Sequence, residues 1–121
     1  MMRCFHESVV STVSVLPEPL KGPMANREYL KGIVLAFPDV RVQTPRSFGQ
    51  GGWVCQEYFV SGTHLGVLNG PLGPVPPTNR RFRIPQCVVY HLEGGKIVEV
   101  HQYFDMLGAL AQLGVLPGGP P

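Results

Sequence analysis

The chain has 121 residues and a formal net charge of +2 at neutral pH. This length suits one domain with one modest core, and so small a charge excludes binding to nucleic acid through a strongly basic surface. No apolar run reaches the roughly 18 residues that a membrane span needs. Because polar His6 and Glu7 follow the start so closely, the N-terminus does not fit a secretory signal. The sequence therefore predicts a cytoplasmic protein with no nucleic-acid or membrane partner.

The cysteines and histidines do not have the spacing of a metal site. Cys4, Cys55 and Cys87 are odd in number and far apart, which argues against a disulfide framework or a cysteine zinc site. The four histidines show no ligand spacing either. We expect neither a metal nor a cofactor.

The first third of the chain predicts a strand followed by a helix. Residues 8–15 are rich in the β-branched side chains that are typical of strands. Pro23 suits the first turn of a helix, and Pro38 ends it. Between these prolines, apolar side chains recur at helical spacing, at Leu30, Ile33, Val34 and Phe37. This pattern predicts one apolar stripe along the helix.

The middle third predicts two strands and a loop. Residues 40–48 form the first strand, and Pro45 favours an edge position because proline cannot donate to a strand ladder. A glycine-rich turn at 49–52 leads into a long strand over 53–61. Residues 66–78 contain four prolines and several glycines, so this segment is predicted to be a loop.

The next segment predicts a hairpin whose two faces differ in polarity. Residues 82–92 and 96–104 flank the turn at Gly94-Gly95, and side chains alternate between the faces of a strand. The mostly apolar set contains Ile84, Gln86, Val88, Tyr90, Val98, Val100, Gln102 and Phe104. The mostly polar set contains Arg83, Cys87, Val89, His91, Ile97, Glu99, His101, Tyr103 and Asp105. If the turn pairs the two apolar sets, they face a core or cavity, and the polar set faces solvent or a partner subunit.

The two glutamines of the apolar set allow two interpretations. Neutral amides on an apolar surface can hydrogen-bond a ligand carbonyl or hydroxyl while apolar neighbours cover its body. Alternatively, Gln86 and Gln102 satisfy each other, the backbone or a buried water.

The end of the chain predicts a short capped helix. Asp105 suits its N-cap, Gly114 its C-cap, and residues 106–113 lie between them. We expect a single domain over 1–116 and a flexible Pro/Gly tail over 117–121. Helices combined with a sheet of this kind predict an α+β fold.

Four segments, in this order and at these distances, resemble the SnoaL-like polyketide cyclases of the NTF2-like superfamily. They are Gly62-Thr63-His64-Leu65-Gly66, Pro76-Pro77-Thr78-Asn79-Arg80-Arg81, Gly94-Gly95-Lys96-Ile97-Val98-Glu99 and Gly108-Ala109-Leu110-Ala111-Gln112-Leu113-Gly114. The resemblance covers about residues 4–116. It implies a cone, in which a curved antiparallel sheet packs on helices around an apolar pocket. Family members close a polyketide ring by aldol chemistry without metal or cofactor, using an Asp helped by a His, a Gln and an Asn.

Carried over position by position, the resemblance implies that most of this machinery is replaced. Gln102 stands at the position of the Asp, Val88 at that of the His and Ser11 near that of the Asn, while Gln86 is retained. Neither glutamine nor valine serves as a proton-transfer group. We therefore expect a protein that binds a small hydrophobic molecule in the pocket. Its expected ligand contacts are Ser11, Gln86, Val88, Tyr90, Val100 and Phe104.

Two other functions fit the sequence. One is a cofactor-independent cyclase, isomerase or epoxide hydrolase in which Glu57 is a relocated base and Gln102 orients substrate or water. Trp53, Cys55 and Phe59 share the alternation of Glu57 and would raise its pKa if buried. The alternative, which the sequence favours, is a surface or interface carboxylate. The other is an oligomerisation or protein-interaction domain that uses the polar sheet face, with contacts at His91, His101 and Tyr103.

The resemblance also concerns oligomerisation. Family members usually begin with a long helix and a short one, and this sequence starts near the end of the second, at Cys4-Phe5-His6. The missing helix would leave apolar surface exposed, so we expect a homodimer or higher homo-oligomer to cover it.

Overall fold

The structure is a computed structural model that describes residues 5–70 and 73–115. Its elements, in chain order, are β1 Phe5–Val13, β2 Leu20–Lys21, α1 Gly22–Ala36, β3 Arg41–Gln50, β4 Trp53–Thr63, β5 Leu68–Gly70, β6 Gly73–Val75, β7 Arg81–Glu93, β8 Lys96–Phe104 and α2 Met106–Leu113. This confirms the predicted α+β fold. The expectations for Cys4 and for the tail over 117–121 lie outside the described residues. None of the helices in the described part is long and apolar enough to span a membrane.

Six strands form one curved sheet in the order β2-β1-β8-β7-β4-β3. Neighbouring strands are antiparallel except for β1 and β8, which are parallel. The sheet was predicted to be antiparallel, but it is mixed. The parallel pair is formed by β1 and β8, the first and last strands of the described chain. β3 lies at the edge, and its register shifts between Gln43 and Arg46. This confirms the edge position that Pro45 predicts.

Two short pairings were not predicted from the sequence. Leu20–Lys21 pairs with β1, and β5 pairs with β6 inside the segment predicted as a loop. Strands of two or three residues are too short to show an alternating pattern. The β5–β6 hairpin nevertheless contributes to the core, because Leu68 is buried.

The core consists of two apolar clusters. The first joins both helices to the sheet, and its buried members are Ala36, Phe37, Leu68, Phe82, Ile84, Ala109 and Leu113. The second lies on the sheet, where half-buried Phe5, Tyr58, Tyr90 and Ile97 pack against buried Val9, Val88 and Val100. Ile33 of α1 packs against the first cluster, and Phe37, just after the helix, belongs to it, but Leu30 and Val34 are exposed. The apolar stripe predicted for this helix is therefore only half buried.

The last hairpin largely confirms the predicted faces. Gln86, Val88 and Tyr90 lie opposite Phe104, Gln102 and Val100, so the apolar sets do share a face. The register shifts between His91 and Leu92, and Ile97 then pairs with Leu92. Val98 is the extra residue of this bulge, and Ile97 packs against the second cluster. The prediction for Ile97 was wrong because a bulge interrupts the alternation.

Helix α2 is capped as the sequence predicts. The Asp105 carboxylate accepts a hydrogen bond from the backbone N–H of Gly108 at 2.8 Å. At the other end, Gly114 adopts a left-handed conformation with φ 74°, which glycine tolerates best.

Replacing Asp105 with alanine should lower the free energy of unfolding by about 1 kcal/mol, because it removes the acceptor at the helix N-terminus. Asp105→Asn keeps an acceptor oxygen and should retain most of the stability. Urea unfolding followed by circular dichroism measures both. Glu18→Ala, which removes an exposed carboxylate, should change little. Equal stability of Asp105→Ala and the wild type would contradict the capping role.

Candidate functional site

Strand pairing brings a continuous set of side chains onto one face of the sheet. Residues directly opposite one another on paired strands share a face. One row runs from Ser11 through Val100 to Tyr90, the next from Gln102 through Val88 to Gln56, and the third from Gln86 to Tyr58. This face meets α1 through the Ser11–Asn26 hydrogen bond. We define the inner wall as Ser11, Gln56, Tyr58, Gln86, Val88, Tyr90, Val100 and Gln102.

The closest polar contact between β4 and β7 on the inner wall joins Gln86 to Tyr58. The Gln86 Nε2 group donates to the Tyr58 hydroxyl oxygen at 2.7 Å. The phenol oxygen is the acceptor in this bond, so the bond does not use the phenol's own proton. Both side chains are half-buried. Gln86 thus bonds a tyrosine and not Gln102, which excludes only the mutual pairing of the two glutamines.

Three tyrosines around this contact stay protonated. Burial, followed by the nearby Tyr90, raises the pKa of Tyr58 to about 12, with a smaller contribution from Tyr29. Burial also raises the pKa of Tyr29 and that of Tyr90. The three phenols are therefore neutral at physiological pH and are available as hydrogen-bond donors.

Ser11 lies on the inner wall, but its hydroxyl is already engaged. It is buried and donates to the Asn26 side-chain oxygen, while Asn26 Nδ2 donates to the Gly22 carbonyl at 2.8 Å. These two bonds fasten α1 to β1. Within the described residues, the structure therefore gives Ser11 a role in holding the helix against the sheet.

Gln102 and Val88 lie directly opposite each other. The Val88 side chain is buried, and that of Gln102 is half-buried. Neither the Gln102 amide nor the Tyr29 and Tyr90 hydroxyls donate or accept a hydrogen bond within the described residues. The inner wall therefore holds polar groups whose hydrogen-bonding capacity is unused.

Phe104 lies on the predicted face of the hairpin but not beside the other predicted ligand contacts. It lies opposite Gln86, but it packs against the first core cluster, around Leu113. Val88 and Val100 belong to the second cluster. The predicted ligand contacts are therefore divided between two clusters, and we exclude Phe104 from the inner wall.

Glu57 lies on the opposite, outer face of the sheet. It pairs with Cys87 and not with an inner-wall residue, and Gln56 is the neighbour that points inward. Its carboxylate is 53% exposed and lies 3.8 Å from the Arg46 side chain. Of the two alternatives for Glu57, the structure agrees with the surface carboxylate and not with the buried base, because the register turns Gln56 inward instead. Glu57 nevertheless lines one depression together with Tyr58 and Gln86.

The outer face carries several polar contacts. His101 Nδ1 lies 2.6 Å from the Thr12 hydroxyl, and His101 Nε2 lies 2.8 Å from the Glu99 carboxylate. The rings of Trp53 and His91 stack with centroids 4.2 Å apart. The predicted interaction residues His91, His101 and Tyr103 are thus all on this face.

Two free cysteines lie close together on the same face. The sulfur atoms of Cys55 and Cys87 are 3.5 Å apart, and burial, with Cys55 nearby, raises the pKa of the Cys87 thiol. Cys87 and Tyr103 also line a depression of about 550 Å³, which they share with Glu57 and with Tyr58 and Gln86 of the inner wall. In the described ranges, no cluster of three or more His, Cys, Asp and Glu side chains is placed to hold a metal ion.

His64 has the structural surroundings that its sequence motif predicts. It is fully buried, its Nδ1 accepts from the Thr78 backbone N–H at 3.3 Å, and the Thr78 hydroxyl lies 3.0 Å from the same nitrogen. The Phe37 ring packs against it with centroids 5.5 Å apart. His64 therefore fastens the end of β4 to the proline-rich segment.

Sequence reasoning missed Tyr58, Tyr29 and Asn26. A signal for Tyr58 was present, because it shares alternation with Gln56 on a strand where one of Gln56 and Glu57 had to face inward. Choosing between these residues required the pairing of β4 with β7. Tyr29 and Asn26 lie on α1, and their position depends on how the helix packs on the sheet.

Comparisons with known proteins agree with this architecture. Residues 1–113 match the model of the SnoaL-like polyketide cyclase family. A curated relative, nogalonic acid methyl ester cyclase from Streptomyces nogalater, is 32% identical over 94 residues, which cover 77% of this chain and 67% of that protein.

Solved structures share the fold at lower identity. A SnoaL-like protein from Jannaschia sp. CCS1 superposes with a TM-score of 0.82 at 18% identity, covering 93% of this chain and 75% of that one. A hypothetical protein from Catenulispora acidiphila with a ketosteroid isomerase-like fold gives 0.78 at 16% identity, covering 99% and 84%. At these identities, the likeness concerns the fold alone.

Acidification through pH 6.5 should lower the free energy of unfolding. Burial lowers the pKa of His64 from its ordinary value of 6.5, so the unfolded chain takes up a proton at a higher pH than the folded chain does. The contribution of neutral His64 to stability is thus complete above pH 6.5. It is lost as the pH falls towards the pKa of His64 in the folded protein. Urea unfolding at a series of pH values, with NMR titration of the His64 ring, tests this.

His64→Gln removes this titration and should flatten the pH dependence of unfolding over the same window. The control His6→Gln removes an exposed histidine. Its free energy of unfolding should depend on pH as steeply as that of the wild type. A His64 ring that titrates at 6.5 or above in the folded protein would contradict the assignment.

Proposed function

Since the chain belongs to the SnoaL-like polyketide cyclase family, we propose that it binds a small hydrophobic molecule on the inner wall. The observation that carries the proposal is the unused hydrogen-bonding capacity of half-buried side chains there. These polar atoms are accessible to a ligand, because the one fully buried side-chain polar atom without a partner in the described residues is His64 Nε2. The Tyr58 proton, the Tyr29 and Tyr90 hydroxyls and the Gln102 amide have no partner within the described residues.

The apolar part of the inner wall suits the body of such a ligand. Val88 and Val100 are buried beside Val9, and the rings of Tyr58 and Tyr90 pack against them. Binding pockets typically combine an apolar lining with a few converging polar groups. The inner wall has this composition, with phenols and amides as its polar groups and no charged side chain.

The residues at the two diagnostic positions favour binding over acid–base ring closure. The family resemblance places a catalytic Asp at position 102 and a His at position 88, where this chain has Gln and Val. Neither side chain takes up or releases a proton in the physiological range. No other inner-wall residue is an Asp, Glu, His or Lys. The proposed activity is therefore capture of a neutral molecule.

Filling the inner wall should weaken binding. Gln102→Trp places an indole among the ligand groups and should raise the Kd for the neutral fluorescent probe N-phenyl-1-naphthylamine at least about tenfold, equivalent to roughly 1.4 kcal/mol. The same change at exposed Gln50, at the end of β3, is the control and should leave the Kd unchanged. Fluorescence titration measures both. Equal affinities of the two variants would show that the probe binds elsewhere.

A second function, self-association, is favoured by the apolar side chains on the outer face. Phe48, Trp53 and Tyr103 are 59%, 39% and 52% exposed, and all three alternate onto the outer face. Several exposed aromatic side chains on one sheet face are typical of an interface. We propose that this face joins copies of the chain in a homodimer or higher homo-oligomer.

Tyr103→Lys should weaken this association, because it puts a charge among the exposed aromatic rings. We expect the mass from light scattering to shift towards the monomer at concentrations where the wild type is associated. Leu107→Lys, at an exposed position of α2, is the control and should leave the mass unchanged. A wild-type protein that is a stable monomer at all concentrations would end this proposal.

A further inference from the structure

We propose that Cys55 and Cys87 form a reversible oxidation site, in which exchange with a small disulfide such as glutathione disulfide joins β4 to β7 through a bond between their sulfur atoms. The inference does not depend on ligand binding at the inner wall. It is carried by the distance between the two sulfurs, by their position on neighbouring strands and by their partial exposure.

Strand pairing places the two thiols diagonally across one step of the ladder. Cys55 lies opposite Val89, and Cys87 lies opposite Glu57. Diagonal neighbours on one face of an antiparallel pair lie close enough for some side chains to meet. The two Sγ atoms are 3.5 Å apart, whereas a disulfide bond is about 2 Å long. The sulfurs therefore need to approach by roughly 1.5 Å, a shift of the size that side-chain rotation supplies.

A small oxidant can reach the pair. Both cysteines are free and half-buried, and Cys87 lines the depression of about 550 Å³. Burial, followed by the contact with Cys55, raises the pKa of the Cys87 thiol. Because the thiolate is the reacting form, Cys87 reacts slowly with oxidants, and its closeness to Cys55 decides which product forms.

The exchange proceeds in two balanced steps. One cysteine loses its proton to solvent and attacks glutathione disulfide, which forms a mixed disulfide and releases one glutathione as its thiolate. The other cysteine then loses its proton and attacks the protein sulfur of the mixed disulfide, which forms the bond between the strands and releases the second glutathione. Two protein thiols are oxidised, and one glutathione disulfide is reduced to two molecules of glutathione. An excess of glutathione reverses both steps.

The bond lies directly behind the inner wall. The Gln56–Val88 pair stands between the two cysteines on the ladder and faces the other side of the sheet. A bond between residues 32 positions apart in the chain restricts the unfolded chain and fixes β4 against β7. Oxidation should therefore raise the urea concentration at the midpoint of unfolding.

The test uses Cys4→Ser, whose two remaining thiols are Cys55 and Cys87. After incubation with glutathione disulfide, we expect the mass of this protein to fall by two hydrogen atoms, with no glutathione attached. A peptide that links β4 to β7 should appear in its proteolytic digest, and a non-reducing gel should show a single chain.

Two controls in the Cys4→Ser protein remove the closeness of the thiols. Cys87→Ser leaves one thiol. Cys55→Ser combined with Ser61→Cys keeps two, with one moved along β4 to a position opposite Arg83. Both controls should retain bound glutathione, because no second thiol lies beside the mixed disulfide.

Phenylarsine oxide measures the closeness of the thiols without oxidation. Its arsenic binds two thiols and its oxygen leaves as water. It should stay on the Cys4→Ser protein in a one-to-one ratio after desalting, and it should be lost from both controls.

The outcomes decide the proposal. Loss of two hydrogen atoms in the Cys4→Ser protein, with glutathione retained by both controls, supports the site, as does a rise in the urea midpoint that excess glutathione reverses. A Cys4→Ser protein that retains glutathione, that links into disulfide-bonded dimers, or whose thiols stay reduced in a large excess of glutathione disulfide overturns it.

Discussion

The register that pairs β8 with β7, and β7 with β4, determines which side chains can act together. It puts Val88 opposite Gln102 and Gln86 opposite Tyr58. A slip of one residue would exchange these for the polar set, and His101 and Glu99 would face the helices. The bulge at Val98 confines the irregularity to the turn end of the hairpin, so it brings Ile97 into the core without disturbing the rows that form the inner wall.

Within that register, the inner wall holds two kinds of polar contact. Ser11 and Asn26 complete each other and attach α1 to the sheet. Tyr58 is only half satisfied, because it accepts from Gln86 but has no acceptor for its own proton in the described part of the chain. A fully paired group stabilises a fold, whereas a group with remaining capacity favours a bound molecule. This contrast distinguishes Ser11, whose hydroxyl is engaged with α1, from Tyr58, whose hydroxyl proton has no acceptor among the described residues.

Local chemistry made some of the fold predictable from the sequence. Asp105 and Gly114 define α2 because caps depend on neighbours in the chain, and Pro45 marks an edge because proline lacks a donor. The sequence left the face of Glu57 open and put Ile97 on the wrong face, because these faces depend on register and on a bulge, which adjacent residues do not encode. Tyr58 escaped notice for the same reason, since its partner Gln86 lies 28 positions away.

The residues at 88 and 102 are best understood as a pair. The two positions lie directly opposite each other. An ionisable residue at either position would therefore depend on its neighbour at the other for a compensating charge. A lone aspartate at 102 would lie beside buried Val88 and Val100 with no cation to hold its charge, and burial would raise its pKa. A lone histidine at 88 would lack a carboxylate to orient it. Gln102 with Val88 avoids both conflicts, because neither side chain carries a charge, and this pairing is the basis for proposing ligand binding through hydrogen bonds.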